Sequence, residues 1–393
     1  MRSIRELNIY KLKDQIFICS RCSYCREIYK EKENTYTICP IRENTAGFET
    51  YIAKGRLMIL QGIIDGILDI TPRTAEIFFM CTTCGNCKIH CPSGIDTHRI
   101  FETFRRDLQE LELGLPVHMA LGEYILNNNN PYNENKMNRL NWIPNNETTY
   151  VDRSSDTMYF VGCTSSYRSI EIARSFYSIL KKCGFDFTIL SGEICCGSPM
   201  FRTGNIETAR ICIEKNIELF NEFGIKKIIT TCAGCLKTLT NDYKHLLGDI
   251  KVINYLKVLN NLIKDGKIRF VNDNLLRATY HDPCHSTKGL AKQDYETPRK
   301  IIQSVPNVEF MEMKSNRRGS ICCGAGGGLK SAYPDLALKI GSKRIEEALE
   351  TGAEYLISSC PFCKRNLADV AATFEGTEIK VIDIVELIYN RMK

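Results

Sequence analysis

The 393-residue sequence has no unbroken apolar run of membrane length, no nucleotide-cradling glycine loop, no periodic glycine and little excess charge. Each absence removes a class of protein. The most apolar stretch, Leu57 to Ile70, is interrupted by Gln61, Asp65 and Asp69, so it reads as an amphipathic or buried helix, not a bilayer span. No apolar segment follows the opening Met1-Arg-Ser-Ile-Arg-Glu-Leu, so no secretory signal is expected, and a reducing cytoplasm is the expected compartment. Gly324-Ala-Gly-Gly-Gly328 is not a dinucleotide fingerprint, because Leu329 stands where the last glycine would fall. With no P-loop elsewhere, no flavin, nicotinamide or ATP is expected. A formal charge of +6, from 52 bases and 46 acids, gives no reason to expect nucleic acid as a partner. Apolar residues at 44% and charged residues at 25% are ordinary globular values, which exclude disorder.

What the sequence has in excess is cysteine, 20 residues of it. In a reducing compartment such residues are metal ligands or redox groups more often than structural disulfides, and a chain this long builds its own core without them.

Two textures divide the chain. Residues 1–125 carry eight cysteines in two clusters joined by helical patterns, such as Ile100, Phe101, Phe104, Leu108 and Leu111 at helical spacing, and no run here alternates as a strand. Residues 127–146 hold ten asparagines with Pro131 and Pro144, so 126–155 reads as a linker or irregular surface segment. Beyond it, short apolar runs (Met158–Val161, Phe185–Leu190, Lys227–Thr230, Arg277–Tyr280, Val308–Met311, Tyr355–Ser358) alternate with helical stretches (Ile170–Lys182, Glu207–Phe223, Pro334–Glu350). That alternation implies βαβ units and mostly parallel sheets. The expected fold class is α+β overall: a mainly helical domain over 1–125, then two duplicated α/β domains over 156–270 and 271–393.

The duplication is legible in three landmarks. Cys163 is echoed by Cys284, Cys195-Cys196-Gly197 by Cys322-Cys323-Gly324, and Cys232-x2-Cys235 by Cys360-x2-Cys363, at offsets of 121, 127 and 128 residues. Each group follows a strand-like run, and ligands of open α/β folds bind at the carboxyl ends of strands.

Cys81-x2-Cys84-x2-Cys87-x3-Cys91-Pro92 is the ferredoxin run for a cubane [4Fe–4S] cluster. Three thiolates at this spacing wrap one cube, and the fourth commonly ligates the other. The partner run is Cys19-x2-Cys22-x2-Cys25, with Cys39-Pro40 displaced by ten extra residues. The ferredoxin crossover gives one cluster Cys19, Cys22, Cys25 and Cys91, and the other Cys81, Cys84, Cys87 and Cys39. Zinc, which prefers two Cys-x2-Cys pairs, fits these triplets poorly.

Five cysteines per repeat are too many for one tetrahedral zinc and one more than a cube needs. Vicinal cysteines suit a more open cluster that they bridge; a pair of redox dithiols is the alternative. Cys183 and Cys212, outside every motif, read as small buried hydrophobes.

At these residues the chain resembles the cysteine-rich CCG-domain family, whose motif is a cysteine, a later Cys-Cys-Gly and then a Cys-x-x-Cys; both copies match completely. Two ferredoxin motifs followed by two CCG domains resemble the catalytic D subunit of heterodisulfide reductase. A related group contains iron–sulfur electron-transfer subunits of flavin-linked glycolate, lactate and glycerol-3-phosphate dehydrogenases, which often have one degraded motif.

The resemblance implies two non-cubane [4Fe–4S] clusters, one on Cys163, Cys195, Cys196, Cys232 and Cys235, the other on Cys284, Cys322, Cys323, Cys360 and Cys363. With the two cubanes they would make four clusters. It also implies reduction of a disulfide such as CoM-S-S-CoB to two thiols by two one-electron deliveries, fed through the cubanes.

His281 and His285 flank Cys284 as candidate proton donors. Arg168, Arg202, Lys288 and Lys330 follow the cysteine motifs as candidate contacts to an anionic disulfide or thiol substrate. Electrons must come from a partner subunit, either a haem membrane protein that would hold the chain peripherally on the inner membrane face or a flavin-containing dehydrogenase.

Overall fold

In the computed structural model, residues 4–30, 34–374, 376 and 378–393 are described. The first part is helical, with helices Ala53–Ile64, Pro72–Phe79, Thr97–Glu110 and Pro116–Asn128 as its main elements. Local chemistry starts and stops them. Thr71 and Thr74 form a capping box ahead of Pro72, Asp96 accepts from the Arg99 amide, and Gly66, at φ 71°, turns the chain soon after Ile64. The apolar stretch from Leu57 therefore ends as a helix well short of Ile70. Its core unites Leu57, Leu60, Phe78, Phe79, Phe101 and Phe104.

This part contains one hairpin that sequence periodicity did not reveal: β1 (Glu27–Lys30) pairs antiparallel with β2 (Asn34–Thr37). It occupies the extra residues between Cys25 and Cys39. A two-stranded ribbon this short carries too few alternating positions to register as a strand pattern.

The remainder is two parallel sheets. The first has the order β3 (Thr157–Phe160), β4 (Lys227–Thr230), β5 (Lys251–Asn254). The second has β6 (Leu276–His281), β7 (Val308–Phe310), β8 (Tyr355–Ser358) and β9 (Lys380–Asp383) in the order β7-β6-β8-β9. Strand β3 is buried throughout, as parallel strands covered on both faces are. The run Phe185–Leu190, expected as a strand, makes only isolated bridges. Thr188 pairs with Met158 and Ile189 with Val151, so the ladder changes partner after one residue. It stands where β7 stands in the second sheet. Strands β5 and β9 were not expected; both are half-buried edges with mixed composition.

The sheets are joined by one hydrophobic core, into which helices Ile170–Lys182, Tyr255–Lys264 and Ile384–Arg391 each send residues. The asparagine-rich segment is irregular, with 3-10 turns Lys136–Leu140 and Pro144–Asn146, yet it is anchored. Trp142 is buried against Tyr159 and Tyr177, and Asn130 and Arg139 are buried too. Among the described residues no helix is long and apolar enough to cross a membrane.

Candidate functional site

The repeat that is visible as a cysteine pattern is also a repeat in space. In the first sheet domain the Tyr159 hydroxyl meets the Thr231 hydroxyl at 3.2 Å; in the second, Tyr280 meets Ser359 at 2.6 Å. The cysteines follow the same plan. Cys196 and Cys235 place their sulfurs 3.4 Å apart, and Cys323 and Cys363 place theirs 3.3 Å apart. The Gly197 amide donates to Cys195 Sγ and the Gly324 amide to Cys322 Sγ, both at 3.4 Å. Cys163 neighbours Cys195, and Cys284 neighbours Cys322. All ten are buried free thiols.

Each group sits where a strand ends: Cys163 after β3, Cys232 after β4, Cys284 after β6, Cys360 after β8. The two groups face one cavity of about 440 Å³, whose lining includes nine of the ten cysteines, all but Cys322. Cys232 and Cys360, one from each repeat, are neighbours on its lining.

The ferredoxin-type cysteines gather in two smaller pockets. Cys19, Cys22, Cys25, Cys87 and Cys91 line one, and Cys25, Cys39, Cys81, Cys84 and Cys87 line the other, so Cys25 and Cys87 belong to both walls. Burial pushes the Cys25 and Cys39 thiols up to about 11. Convergent buried sulfurs of raised pKa are unfavourable as thiolates unless a cation takes the place of the protons, so the donor sets suit a metal cluster. The second pocket adjoins the second repeat: Cys84, Cys284 and Cys322 form one buried group.

The glycine run is explained here. A Cβ on Gly326, Gly327 or Gly328 would stand 2.7, 2.4 and 2.6 Å from the Thr82 carbonyl, the Cys81 carbonyl and the His118 ring respectively. The run lets the ferredoxin loop lie directly on the second repeat.

Of the candidate polar residues, His285, Arg202 and Lys330 line the cavity, while His281, Arg168 and Lys288 do not. His281 lies behind, its ring nitrogen within 4.8 Å of the Cys323 and Cys363 sulfurs, and burial, with Arg344 nearby, holds its pKa down to about 3. His285 Nε2 has no hydrogen-bond partner among the described residues, and its pKa too is held well below the ordinary value by burial, with Lys237, Arg202 and His98 adding to it. Arg202 pairs with Glu102 at 3.0 Å and Asp242 at 2.5 Å; Lys330 pairs with Asp369 and donates to Asn366. Arg168 pairs with Glu134 and lies over the Tyr132 ring. Lys288 is buried behind the cavity wall, donating to the Asn86 side chain and the Ser320 carbonyl.

Sequence reasoning missed Arg365 and Tyr132. Arg365 lines the cavity over the Tyr132 ring, 5.6 Å from its centre, and forms no ion pair among the described residues. Nothing local marks either residue; only the fold brings the asparagine-rich segment to the helix Pro361–Ala371. Cys183 and Cys212 stay off the cavity lining, though Cys212 packs beside Cys195.

Fold and site define a class: a two-site ferredoxin-like part followed by two cysteine-rich domains. Residues 15–95 match the 4Fe-4S dicluster domain, and residues 157–240 and 278–368 match the cysteine-rich domain known as CCG. The chain belongs to the family of heterodisulfide reductase D subunits. It is 34% identical over 385 residues to the D subunit of the dihydromethanophenazine:CoB–CoM heterodisulfide reductase of Methanosarcina barkeri, covering 94% of this chain and 92% of that protein. It is also similar to the B subunit of the fumarate reductase (CoM/CoB) of Methanothermobacter marburgensis, at 31% over 80% of this chain and 61% of that one. An EtfAB:quinone oxidoreductase of Syntrophomonas wolfei is 27% identical over 81% of this chain and 47% of its own length. The relatives make this chain an iron–sulfur oxidoreductase that works with redox partner subunits.

Proposed function

We propose that the chain is the disulfide-reducing subunit of a heterodisulfide reductase-like complex. A disulfide takes up two electrons and two protons and leaves as two thiols. The observation that carries this reading is one cavity lined by nine of the ten cysteines of both repeats, with Cys232 and Cys360 as neighbours between the two sets. Two electron sources on one substrate avoid release of a free thiyl radical.

Cys19, Cys22, Cys25 and Cys91 would hold one cubane, and Cys39, Cys81, Cys84 and Cys87 the other. Cys163, Cys195, Cys196, Cys232 and Cys235 would hold one non-cubane cluster, and Cys284, Cys322, Cys323, Cys360 and Cys363 its counterpart. Bound clusters would supply electrons one at a time. The chain's own residues do the rest. The mostly apolar lining, with Leu121, Pro131, Pro199 and Phe362, would set the sulfurs in surroundings of low polarity once substrate fills the cavity. Arg365, with no carboxylate partner among the described residues, would offer a cation to an anionic arm of the substrate. His285 is the histidine on the lining; burial keeps it neutral at rest, so its role would be to relay a proton to a departing sulfur, not to store one. Electrons would enter from a partner subunit, haem- or flavin-bearing, at the ferredoxin end, where Cys22 is the one exposed cysteine.

The test is iron, acid-labile sulfide and zinc per chain on anaerobic protein, followed by thiol release from a disulfide with reduced viologen as donor. Four filled sites require about 16 irons. About 8, with cluster loss during purification excluded, would leave the repeats as thiols and overturn the reading. Full iron with no thiol release would make the chain an electron-transfer subunit instead.

A further inference from the structure

The two cysteine sets are alike in position, but the charges set behind them differ. Behind the first, Arg139 brings Nη1 and Nη2 to 3.8 and 3.9 Å from Cys163 Sγ. Its charge is cancelled on the spot by Glu193, which also accepts the Val161 and Gly162 amides at 2.8 and 2.9 Å. Both side chains are buried. The pair gives Cys163 hydrogen bonds but no net charge.

Behind the second stands Lys288, 3% exposed. Its ammonium donates only to neutral oxygens, those of Asn86 and Ser320, and forms no ion pair among the described residues. Asp282, the acid that acts on it electrostatically, is already taken: Arg299 holds its two oxygens at 2.8 and 2.9 Å, and the Arg317 amide adds a third bond. Lys288 acts electrostatically on Cys84, Cys284 and Cys322, the buried group where the inner ferredoxin set meets the second repeat. A buried cation with no counter-ion is costly unless negative charge develops beside it.

We propose that Lys288 is a potential-setting residue: its fixed charge raises the reduction potential of the centre on the second repeat and of the inner ferredoxin centre. Electrons then settle on the second repeat before the first. This rests on the reading above that both repeats hold clusters. The physical cause is that reduction adds one negative charge to a centre, and an unscreened cation in a dry interior stabilises that form. Arg139, neutralised by Glu193, gives the first repeat no such preference. Lys288 does not touch the cavity, so it acts through the centres and not on the substrate.

The experiment is a redox titration followed by electron paramagnetic resonance on the full chain, anaerobic, with iron counted beforehand. Lys288→Met removes the charge at similar volume; Lys288→Arg keeps it. Lys288→Met is expected to shift the midpoints of the inner ferredoxin and second-repeat centres negatively, with the other two unmoved and Lys288→Arg close to wild type. Equal shifts at all four centres, or none, would overturn the proposal.

The wild-type protein supplies an arm that needs no variant to fold. The second-repeat centre adjoins the inner ferredoxin centre through the Cys84–Cys322 contact, so its signal is expected to be broadened by spin coupling. It should also appear before the uncoupled signal of the first repeat. The reverse order overturns the proposal. About 8 irons per chain and no repeat signal would instead remove the functional reading beneath it.

Discussion

Arg105 shows how much of this molecule hangs on single buried side chains. It lies on the helix Thr97–Glu110, fully buried, and its guanidinium donates to five carbonyls: Phe78, Phe79 and Cys81 of the ferredoxin part, Arg202 of the first repeat and Gly327 of the second. Burial lowers its pKa to about 10, which still leaves it charged at neutral pH. No other side chain offers five donors in a rigid fork, so Lys cannot replace it. Arg105→Met strands buried carbonyls in all three parts. It is expected to cost on the order of 3 kcal/mol or more of stability, read as a lower denaturation midpoint, with Arg105→Lys recovering only part. At the same scale, Cys183→Ala is expected to leave iron per chain unchanged, because Cys183 packs beside the Lys267 carbonyl, away from every cysteine set. Loss of four irons in that variant would show a ligand role.

Between elements, a close approach of the ferredoxin part to the second repeat is the glycine run on the Cys81–Thr82 backbone, where the proposed electron supply would cross. Gly327, at φ 64°, has both a left-handed conformation and the Cys81 carbonyl where a Cβ would go. Gly327→Ala is therefore expected to push the ferredoxin loop off the second repeat. Viologen-reduced ferredoxin centres would then form normally while electron delivery to the repeats slows, a split that stopped-flow spectroscopy resolves. The helix Pro116–Asn128 clamps the same run, His118 Nε2 donating to the Gly328 carbonyl at 2.9 Å. Burial holds His118 down to about 4 against an ordinary 6.5. The unfolded chain thus binds the extra proton first as pH falls. The stability from a neutral His118 is complete above about 6.5 and is lost as pH drops toward 4, by a few kcal/mol at most. Unfolding midpoints measured across that window should show a flatter acid limb in His118→Gln. None of these joints is local in sequence. The cysteine triplets, the helices Ile170–Lys182 and Pro334–Glu350 and the central strands were readable because periodicity and spacing are local. Strands β5 and β9, the Arg365–Tyr132 stack and the burial of Lys288 were not, because each depends on what the fold brings against it.

For the molecule as a whole, duplication is the organising fact, and it makes a statement about activity that neither half makes alone. Equivalent cysteines of the two repeats line one cavity and touch at Cys232 and Cys360. If each repeat worked independently, disabling one would leave about half the activity. If both act on one bound disulfide, one electron from each side, the loss is not additive, as for any set of groups that act as a unit. Cys196→Ser and Cys323→Ser disable equivalent positions, each paired with the last cysteine of its own repeat. Each variant is expected to lose about four irons of about 16 and at least a hundredfold in disulfide reduction, and the double variant to lose little more activity than either. Rapid reduction of the ferredoxin centres by viologen should survive in all three, since their cysteines are untouched. Half-activity in the single variants, with iron loss confined to one repeat, would mean two separate sites and would remove the shared-cavity mechanism.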